Sequence, residues 1–194
     1  MPTISVLIPS RGDSAKLARC LGDLSRQTHE PVQVLVGLDS NDEAEAERAR
    51  ASYGPLFGGR LRLEAFGNVG YMPIRAALFE RAIGEVFVSM NDDVRVDGGF
   101  VRAHASAHAE SGTASVFSGP APWAGVESPT VFDAAVRESD MIFFRQRPDA
   151  SGGLGYRECY GLNMSAPVAE AERAGGFASH LHAYGYDDID LAYR

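Results

Sequence analysis

The sequence has few cysteines, little positive charge and no long apolar segment. Only two of its 194 residues are cysteines, Cys20 and Cys159, too few for a zinc ribbon or a secreted disulfide framework. Eighteen basic residues against 26 acidic ones give a net charge of −8, which excludes nucleic-acid binding by bulk attraction. Apolar runs such as Ile4–Ile8, which Ser5 interrupts, fall far below the ~20 residues that span a bilayer. We therefore expect a cytoplasmic protein with no signal peptide, no transmembrane segment and no nucleic-acid partner.

The rest of the composition is typical of a globular domain. Hydrophobic residues make up 45% and charged residues 23% of the chain, which excludes a disordered protein. The 21 glycines and 10 prolines follow no short period, so the collagen-like and low-complexity classes are also excluded. Because no repeat or linker interrupts the sequence, we expect one domain over residues 1–194, with halves at about 1–95 and 96–194.

The first half alternates strand-like and helical segments. Strands are predicted at Thr3–Pro9, Val32–Leu38, Leu61–Phe66 and Val86–Met90. Helices are predicted after a cap at Asp13 or Ser14, over Asp42–Ser52, and from Pro73 to Ala82, ended by Gly84. This order predicts an α/β fold, an open, mostly parallel, doubly wound sheet with helices on both faces. Such sheets bind ligands outside the carboxyl ends of their strands, here Ser10–Gly12, Asp39–Asn41, Gly67–Gly70 and Asn91–Asp93.

The second half is less regular. Helices are predicted at Phe100–Ala109, Glu170–Ala174 and Asp187–Arg194, and strands at Ala114–Phe117 and Met141–Phe144. Loops are predicted at Gly119–Pro129, which holds the single tryptophan, and at Arg147–Gly155. We expect this half to complete the same domain.

Asn91-Asp92-Asp93 directly follows a buried strand and is the first candidate for a metal site. If the backbone stays extended there, Asn91 and Asp93 share one side and Asp92 faces the other. Mg²⁺ and Mn²⁺ suit such oxygen ligands, because they take one or two carboxylates and share the remaining positions with water or phosphate. Acidic residues after a strand also form turns, and that reading stays open. The position at the ligand-binding edge favours the metal.

Other strand ends carry candidates for nucleotide binding. Asp39 ends the second strand, where a carboxylate can accept hydrogen bonds from a base or ribose. An Asx turn or helix cap is the alternative for Asp39. Ser10 and Arg11 offer a hydroxyl and a cation after the first strand, and Arg75 is placed to approach phosphate near a positive helix end.

The Asp187-Asp188 pair begins a predicted helix. Acidic residues in a first turn commonly interact with the helix dipole, and one of them can also act as a general base.

Other side chains have weaker signals. His104 and His108 lack the glutamate of the zinc-protease pattern. His180 or His182 could complete a metal shell or contact phosphate, although surface histidines are more common. Trp123 could stack on a sugar or belong to the core.

Several segments, taken in order, resemble one known family. They are Ile4–Ser10, Val34–Asp39, Asn68–Gly70, Arg75-Ala76, Gly84-Glu85, Asn91–Asp93, Gly161–Met164, Gly175–Phe177 and Tyr184–Leu191. The chain resembles a family 2 glycosyltransferase with the GT-A fold over most of its length. In that comparison Asn91–Asp93 falls at the D-x-D position, and Tyr184–Leu191 matches the E-D-x-x-L segment that bears the catalytic base.

The resemblance implies an activated donor, most often a nucleoside diphosphate sugar, with Mg²⁺ or Mn²⁺ bridging its phosphates, and a saccharide or other hydroxyl acceptor. Asp93 would be the metal ligand, Asp92 would contact the ribose, and Asp39 would hold the base. Asp188 would take the proton of the acceptor and cause inversion, with Asp187 in place of the usual glutamate. The implied nucleotide-sugar-binding residues are Pro9, Ser10, Arg11, Asp39, Asn68, Arg75, Asn91 and Asp92. Tyr71, Trp123, Arg145 and Arg147 are candidates for the acceptor side.

Two departures from the family pattern leave alternatives open. Asn91 replaces the first aspartate of D-x-D, and family members normally continue beyond the base segment, so a trimmed chain or a minimal enzyme is expected. Both features would fit a non-catalytic nucleotide-sugar-binding protein, whereas Asp93 and Asp188 favour an enzyme. A retaining mechanism also stays open. A nicotinamide-dependent dehydrogenase is disfavoured, because residues 9–12 do not form the G-x-G-x-x-G turn.

Overall fold

The computed structural model describes residues 1–12, 14–123, 128–138, 149, 152–178 and 185–194. Its strands are β1 (Ile4–Ser10), β2 (Gln33–Leu38), β3 (Leu61–Ala65), β4 (Val86–Met90), β5 (Phe117–Ser118) and β6 (Asn163–Pro167). Its helices are α1 (Ala15–Leu24), α2 (Glu43–Tyr53), α3 (Tyr71–Phe79), α4 (Phe100–Ser111), α5 (Val131–Glu138), α6 (Val168–Arg173) and α7 (Asp187–Tyr193). Short 3₁₀ turns lie at Gly54–Phe57 and Tyr156–Glu158.

The strands form a single sheet in the order β3-β2-β1-β4-β6-β5. β1 pairs in parallel with both β2 and β4, and β2 pairs in parallel with β3. β6 runs antiparallel to β4 and to β5. The predicted open, mostly parallel sheet is therefore confirmed, and the carboxyl ends of β1, β2 and β4 lie at one edge.

Helices cover both faces of the sheet, as predicted. Alternate residues of a strand point to opposite faces, so Ile4, Val6 and Ile8 of β1 pack in a cluster with α1, α2 and α4. Leu7 faces the other way and packs with residues of α3, α6 and α7. The central strands are buried on both sides, which explains why they appear in the sequence as continuous apolar runs.

The first two helices begin at polar caps. The Ser14 hydroxyl accepts a hydrogen bond from the Leu17 amide at 3.2 Å, while Asp13, the other predicted cap, lies outside the described residues. Asp42 caps α2 by accepting from the Ala44 amide at 2.9 Å. Each cap satisfies an amide that has no partner within its helix.

The predicted bounds of α3 are wrong at both ends. The helix begins at Tyr71, because Pro73 lies in the first turn, where its missing N–H is not needed. It ends at Phe79 and continues as a turn, with the Ala82 amide bonded to the Phe79 carbonyl at 3.0 Å. Gly84 does not end the helix. A Cβ there would lie 2.6 Å from the Ser5 nitrogen, so glycine lets the chain pass close to β1.

The second half shows two further differences. In place of the predicted strand Ala114–Phe117 there is a two-residue strand, Phe117–Ser118, which shares only Phe117 with it, and the predicted strand Met141–Phe144 lies outside the described residues. α5 was not predicted from the sequence. Its start carries a reciprocal cap, because the Thr130 amide donates to Asp133 at 2.8 Å and the Asp133 amide donates to the Thr130 hydroxyl at 3.2 Å.

Candidate active site

The predicted nucleotide-binding edge is assembled from the ends of β1, β2 and β4. Ser10 ends β1, and its carbonyl accepts a hydrogen bond from the Asp39 amide, which follows β2, at 2.7 Å. The Asp39 carboxylate accepts from the Gly70 amide at 3.0 Å, so it fixes the loop that leads into α3. Asp42, and not Asp39, caps the adjacent helix α2. Pro9 is buried in β1, whereas the neighbouring Arg11 is exposed, as is Asn68 in the loop before α3.

The chain after β4 is a turn, closed by the Val94 amide and the Asn91 carbonyl at 3.3 Å. The backbone is therefore not extended there, so the condition under which Asn91 and Asp93 would share one side is not met, and the alternative of a turn is the one observed. The three side chains have different partners. Asn91 Oδ1 accepts from the Tyr71 hydroxyl, and Asp92 Oδ2 accepts from the Ser10 hydroxyl at 2.5 Å. Asp93 Oδ2 lies 3.4 Å from the Lys16 ammonium.

Asp92 and Asp93 are in different electrostatic environments. Burial raises the pKa of Asp92, the Ser10 hydrogen bond opposes that shift, and the charge of Asp93 adds to it. The Asp93 side chain is 48% exposed and Lys16 is 60% exposed, so their ion pair is screened by water. Asp93 is therefore the carboxylate of this turn that is most accessible to a ligand.

The acidic pair at the start of α7 is anchored to the rest of the domain. Arg75 donates from Nη1 to Asp187 Oδ2 at 2.8 Å and lies 3.9 Å from Asp188 Oδ2. The Gly161 amide, just before β6, donates to Asp188 Oδ2 at 2.6 Å. The Asp187 side chain is 3% exposed and that of Asp188 is 16% exposed. Burial raises the pKa of Asp187, and the charge of Arg75 opposes that shift.

Arg75 is buried and not at an exposed helix end, which is where a phosphate ligand was expected. Its side chain is 3% exposed and directed at the acidic pair. Its guanidinium packs over the rings of Tyr71 at 4.4 Å and Phe177 at 5.6 Å. A Cβ on Gly161 would lie 2.6 Å from the guanidinium carbon, so a glycine is needed there to make room for Arg75.

One chain of contacts joins the acidic pair to the turn after β4. Asp187 accepts from Arg75, Arg75 donates through Nη2 to the Tyr71 hydroxyl, and that hydroxyl donates to Asn91. Tyr71 and Arg75 share a face of α3 because they are four residues apart. We call these four residues the polar relay. The structure thus brings together two acidic motifs that are about a hundred residues apart in the sequence.

Sequence reasoning assigned no role to Lys16 or Gly161. It suggested Tyr71 for the acceptor side and not for its contacts with Arg75 and Asn91. The i, i+4 spacing on α3 could have suggested a partnership between Tyr71 and Arg75. Lys16 lies in the first turn of α1, shortly after the candidate loop Ser10–Gly12. A lysine at that position could have been predicted to contact a ligand at the sheet edge. For Gly161, no local pattern distinguishes a glycine that makes room for an arginine from a glycine in an ordinary turn.

Other candidates from the sequence have structural contacts or lie outside the described residues. The Trp123 indole donates to Asp133 at 2.9 Å, a contact that ties its segment to α5. The Ser165 hydroxyl lies 2.8 Å from His104 Nδ1 and 2.9 Å from His108 Nε2, which joins α4 to β6. Burial lowers the pKa of both rings, that of His108 to about 4, so both are neutral at pH 7. Arg145, Arg147, His180, His182 and Tyr184 lie outside the described residues.

An open pocket of about 350 Å³ lies beside α7. Its lining residues are Tyr156, Tyr186, Ile189, Asp190 and Tyr193. The rings of Tyr156 and Tyr193 meet edge to face with centroids 5.0 Å apart, and Tyr186 is 73% exposed. The pocket therefore presents aromatic surface along α7, and neither Asp187 nor Asp188 is among its lining residues.

The turn after β4 fits a divalent cation that is shared with a ligand. Among the residues that the structure describes, no three His, Cys, Asp or Glu side chains gather into a group that could hold a metal by themselves. Mg²⁺, however, usually takes one or two carboxylates and completes its shell with water and substrate phosphate. Asp93, with Asp92 next to it, provides that kind of donor set.

The sequence matches a known family. The family model described as glycosyl transferase family 2 matches residues 5–153. The chain therefore belongs to glycosyl transferase family 2, as its resemblance indicated. Two curated relatives are validoxylamine A glucosyltransferases of Streptomyces hygroscopicus subsp. limoneus and subsp. jinggangensis, each 26% identical over 221 residues. The match covers 100% of this chain and 48% and 51% of theirs, so the chain spans about half the length of the curated relatives it matches.

Solved structures share the fold. TarS 1-349 from S. aureus superposes with a TM-score of 0.70 at 16% identity, covering 98% of this chain and 54% of that one. The mannosyltransferase PcManGT from Pyrobaculum calidifontis, in complex with GDP-Man and Mn²⁺, has a TM-score of 0.64 at 18% identity and covers 98% of this chain and 50% of that one. The GT-A fold is thereby confirmed. Across the part of the chain that the structure describes, no helix has the length and apolar character to traverse a bilayer.

Proposed function

We propose that residues 1–194 form one catalytic domain that transfers a sugar from a nucleoside diphosphate sugar to an acceptor hydroxyl with inversion. Residues 1–95 would bind the donor and residues 96–194 the acceptor. The observation that carries the proposal is the polar relay, because it holds the acidic pair of α7 next to the turn after β4. The neighbours add support, since TarS has been crystallised with UDP-GlcNAc and PcManGT with GDP-Man.

The donor would lie along the edge formed by β1, β2 and β4. Asp39 is half-buried and lies at the end of β2, where it can accept hydrogen bonds from a base or ribose. Asp92, oriented by Ser10, is the candidate for the ribose hydroxyls. Pro9, Arg11 and Asn68 would line the rest of this donor site.

Asp93 would hold Mg²⁺ or Mn²⁺ together with the two phosphates of the donor. A cation bound there would act as a Lewis acid that stabilises the negative charge on the departing diphosphate. Lys16 lies 3.4 Å from Asp93 and can turn its exposed ammonium toward the same phosphates. In a chain of net charge −8, such a local concentration of positive charge is needed to attract a polyanion.

Asp188, rather than Asp187, would act as the general base. Asp187 is 3% exposed and paired with Arg75, so an acceptor cannot reach it, whereas Asp188 is 16% exposed. The acceptor oxygen would form a bond with the anomeric carbon while its proton passes to Asp188. The bond from that carbon to the diphosphate breaks, and its electron pair leaves with the diphosphate. Attack from the face opposite to the leaving group inverts the anomeric centre, by the geometry known from inverting glycosidases.

Arg75 would be a positioning residue and not a phosphate ligand. Its ion pair with Asp187 fixes the first turn of α7, and the Gly161 amide then orients Asp188. The pocket lined by Tyr156, Tyr186 and Tyr193 lies along the same helix, and aromatic faces suit the apolar face of a sugar ring. We assign that pocket to the acceptor.

The test measures transfer and donor binding separately. The protein is incubated with Mn²⁺, a panel of nucleoside diphosphate sugars and simple glycoside acceptors, and product is detected by mass spectrometry. Asp188→Asn should lower turnover by about 10²–10⁴-fold, because general base catalysis contributes that much. Its dissociation constant for the donor should stay unchanged. Asp97→Asn is the matched control, because Asp97 is exposed, accepts a hydrogen bond from the Gly99 amide at 2.8 Å and does not line the acceptor pocket.

The outcomes separate the candidate functions. Equal losses of turnover and donor affinity in Asp188→Asn would remove Asp188 from the role of base. Donor binding without any product across the panel would favour the non-catalytic nucleotide-sugar-binding protein. Failure to bind any nucleoside diphosphate would overturn the proposed function.

A further inference from the structure

The polar relay defines how the Asn91 amide is oriented. An arginine can only donate hydrogen bonds, so the Tyr71 oxygen is the acceptor in its bond with Arg75. The Tyr71 hydroxyl has one proton, and it donates that proton to Asn91. In this bond the atom of Asn91 that faces Tyr71 is the carbonyl oxygen Oδ1. The arrangement thus identifies the two ends of an amide that are otherwise hard to tell apart.

This orientation leaves the amino group of Asn91 available. Asn91 is half-buried at the sheet edge, and its Nδ2 hydrogen-bonds to none of the described residues. An amino group can only donate a hydrogen bond and cannot ligate a cation. The Asn91 amino group can therefore donate a hydrogen bond to a bound ligand, whereas the carboxylate of an aspartate at this position could only accept one or ligate a cation.

The charge of the neighbouring residues explains why a neutral hydrogen-bond donor suits position 91. Asp92 and Asp93 follow directly, so this turn already contains two carboxylates. A third carboxylate would add to the repulsion of an anionic ligand, whereas an amide attracts phosphate oxygens without adding charge.

We infer that Asn91 binds the diphosphate of the donor as a neutral hydrogen-bond donor through Nδ2, and that Tyr71 and Arg75 hold its amide in that orientation. This inference rests on the proposed function and specifies how its donor site works. Asn91 is then a binding residue, and Tyr71 is a positioning residue. The arginine that anchors the base segment also orients a group on the donor side.

Titration with UDP and GDP tests the inference without any turnover. Kd is measured calorimetrically with EDTA and again with Mn²⁺, for the wild-type protein, Asn91→Asp and Asn91→Ala. Asn91→Asp should raise Kd about tenfold, which corresponds to about 1.4 kcal/mol, under both conditions. Its melting temperature should not change, because a carboxylate also accepts the Tyr71 hydrogen bond. Asn91→Ala should raise Kd about threefold, the usual effect of losing one hydrogen bond.

Each result has a definite meaning. If Asn91→Asp binds UDP or GDP with Mn²⁺ as tightly as the wild-type protein, or more tightly, this position is a metal ligand and the inference is wrong. Unchanged binding by Asn91→Ala would also overturn it. If the wild-type protein binds neither these nor other nucleoside diphosphates, the proposed function fails first and the inference fails with it.

Tyr71→Phe tests the orienting role. It keeps the ring that packs against Arg75 and removes the hydroxyl that holds Asn91. We expect an increase in Kd of about threefold, and no further increase when Asn91→Ala is added, because the two residues act through one contact. Additive losses would contradict the orienting role. Tyr53→Phe is the matched control, since Tyr53 lies on α2 and packs against the core on the other face of the sheet.

Discussion

The turn after β4 and the start of α7 both present adjacent aspartates, yet their surroundings differ. Asp93 is 48% exposed and has an exposed lysine as its partner, whereas Asp187 is 3% exposed and paired with a buried arginine. The turn that contains Asp93 follows strand β4 at the open edge of the sheet. The pair Asp187-Asp188 begins helix α7, whose Leu191 packs into the core.

This difference separates two tasks that one residue type can perform. An exposed carboxylate remains solvated and can exchange its partner for a ligand at little cost. A buried carboxylate must keep its counter-charge, because an uncompensated charge in the interior is expensive. Asp93 is therefore suited to binding, and Asp187 to fixing the position of its neighbour Asp188.

The largest expected effect comes from breaking the buried pair. Arg75→Leu leaves Asp187 without its counter-charge and should lower the free energy of unfolding by about 3–5 kcal/mol. Urea denaturation followed by circular dichroism measures this change. Lys16→Leu, which removes the partner of the exposed carboxylate, should change it by less than about 1 kcal/mol.

The double variant Arg75→Leu with Asp187→Asn sharpens the same test. Because both charges are then absent, it should be more stable than Arg75→Leu alone. Equal destabilisation by Arg75→Leu and Lys16→Leu would mean that burial does not distinguish the two turns.

A smaller loss is expected at Gly161. In Gly161→Ala the new Cβ would lie 2.6 Å from the Arg75 guanidinium, which is held by Asp187 and Tyr71 and cannot move freely. Overpacking of this kind costs about 1–3 kcal/mol, measurable in the same denaturation experiment. Gly155→Ala is the control, because a Cβ there meets no atom within 4 Å. Similar stability of the two variants would show that the relay tolerates displacement.

The smallest effect on stability is expected at Asp93. Asp93→Asn should leave the free energy of unfolding within about 0.5 kcal/mol of the wild-type value, as is usual at exposed positions. Its Kd for UDP or GDP in Mn²⁺ should rise about tenfold, the affinity that 1.4 kcal/mol provides. EDTA should weaken binding by the wild-type protein to the level of the variant. An unchanged response to Mn²⁺ in Asp93→Asn would remove Asp93 from the metal site.

The first half of the fold was predictable because three of its strands, β1, β2 and β4, are buried on both faces. Val86–Met90 agrees with β4 at both ends, and Ile4–Ser10 differs from the predicted strand by one residue at each end. The helix α5 was not predicted, although Thr130 and Asp133 form a capping pair that the sequence contains. In an irregular region rich in proline and glycine, that short signal carried too little weight.

The candidate site was predictable in part. Local patterns indicated the two acidic motifs, the resemblance to the family selected Asp93 and Asp188 within them, and the roles of both residues remain predictions. Arg75 was selected as well, but its position at the start of a helix suggested phosphate, whereas its partner is an aspartate more than a hundred residues further on. The contact of Tyr71 with Asn91 depends on how α3 packs beside β4, which no local spacing records.

The amino-acid sequence by itself determined the alternation of strands and helices, the mostly parallel sheet and the places where polar groups follow strands. These follow from apolar periodicity and from turn and cap chemistry, which act between near neighbours along the chain. Only the tertiary structure decided which aspartate is open to a ligand, which one is buried against Arg75, and which way the Asn91 amide points. Burial and hydrogen-bond partners are set by segments that meet across the sheet, so the same two letters, Asp-Asp, acquire different properties at its edge and in its core.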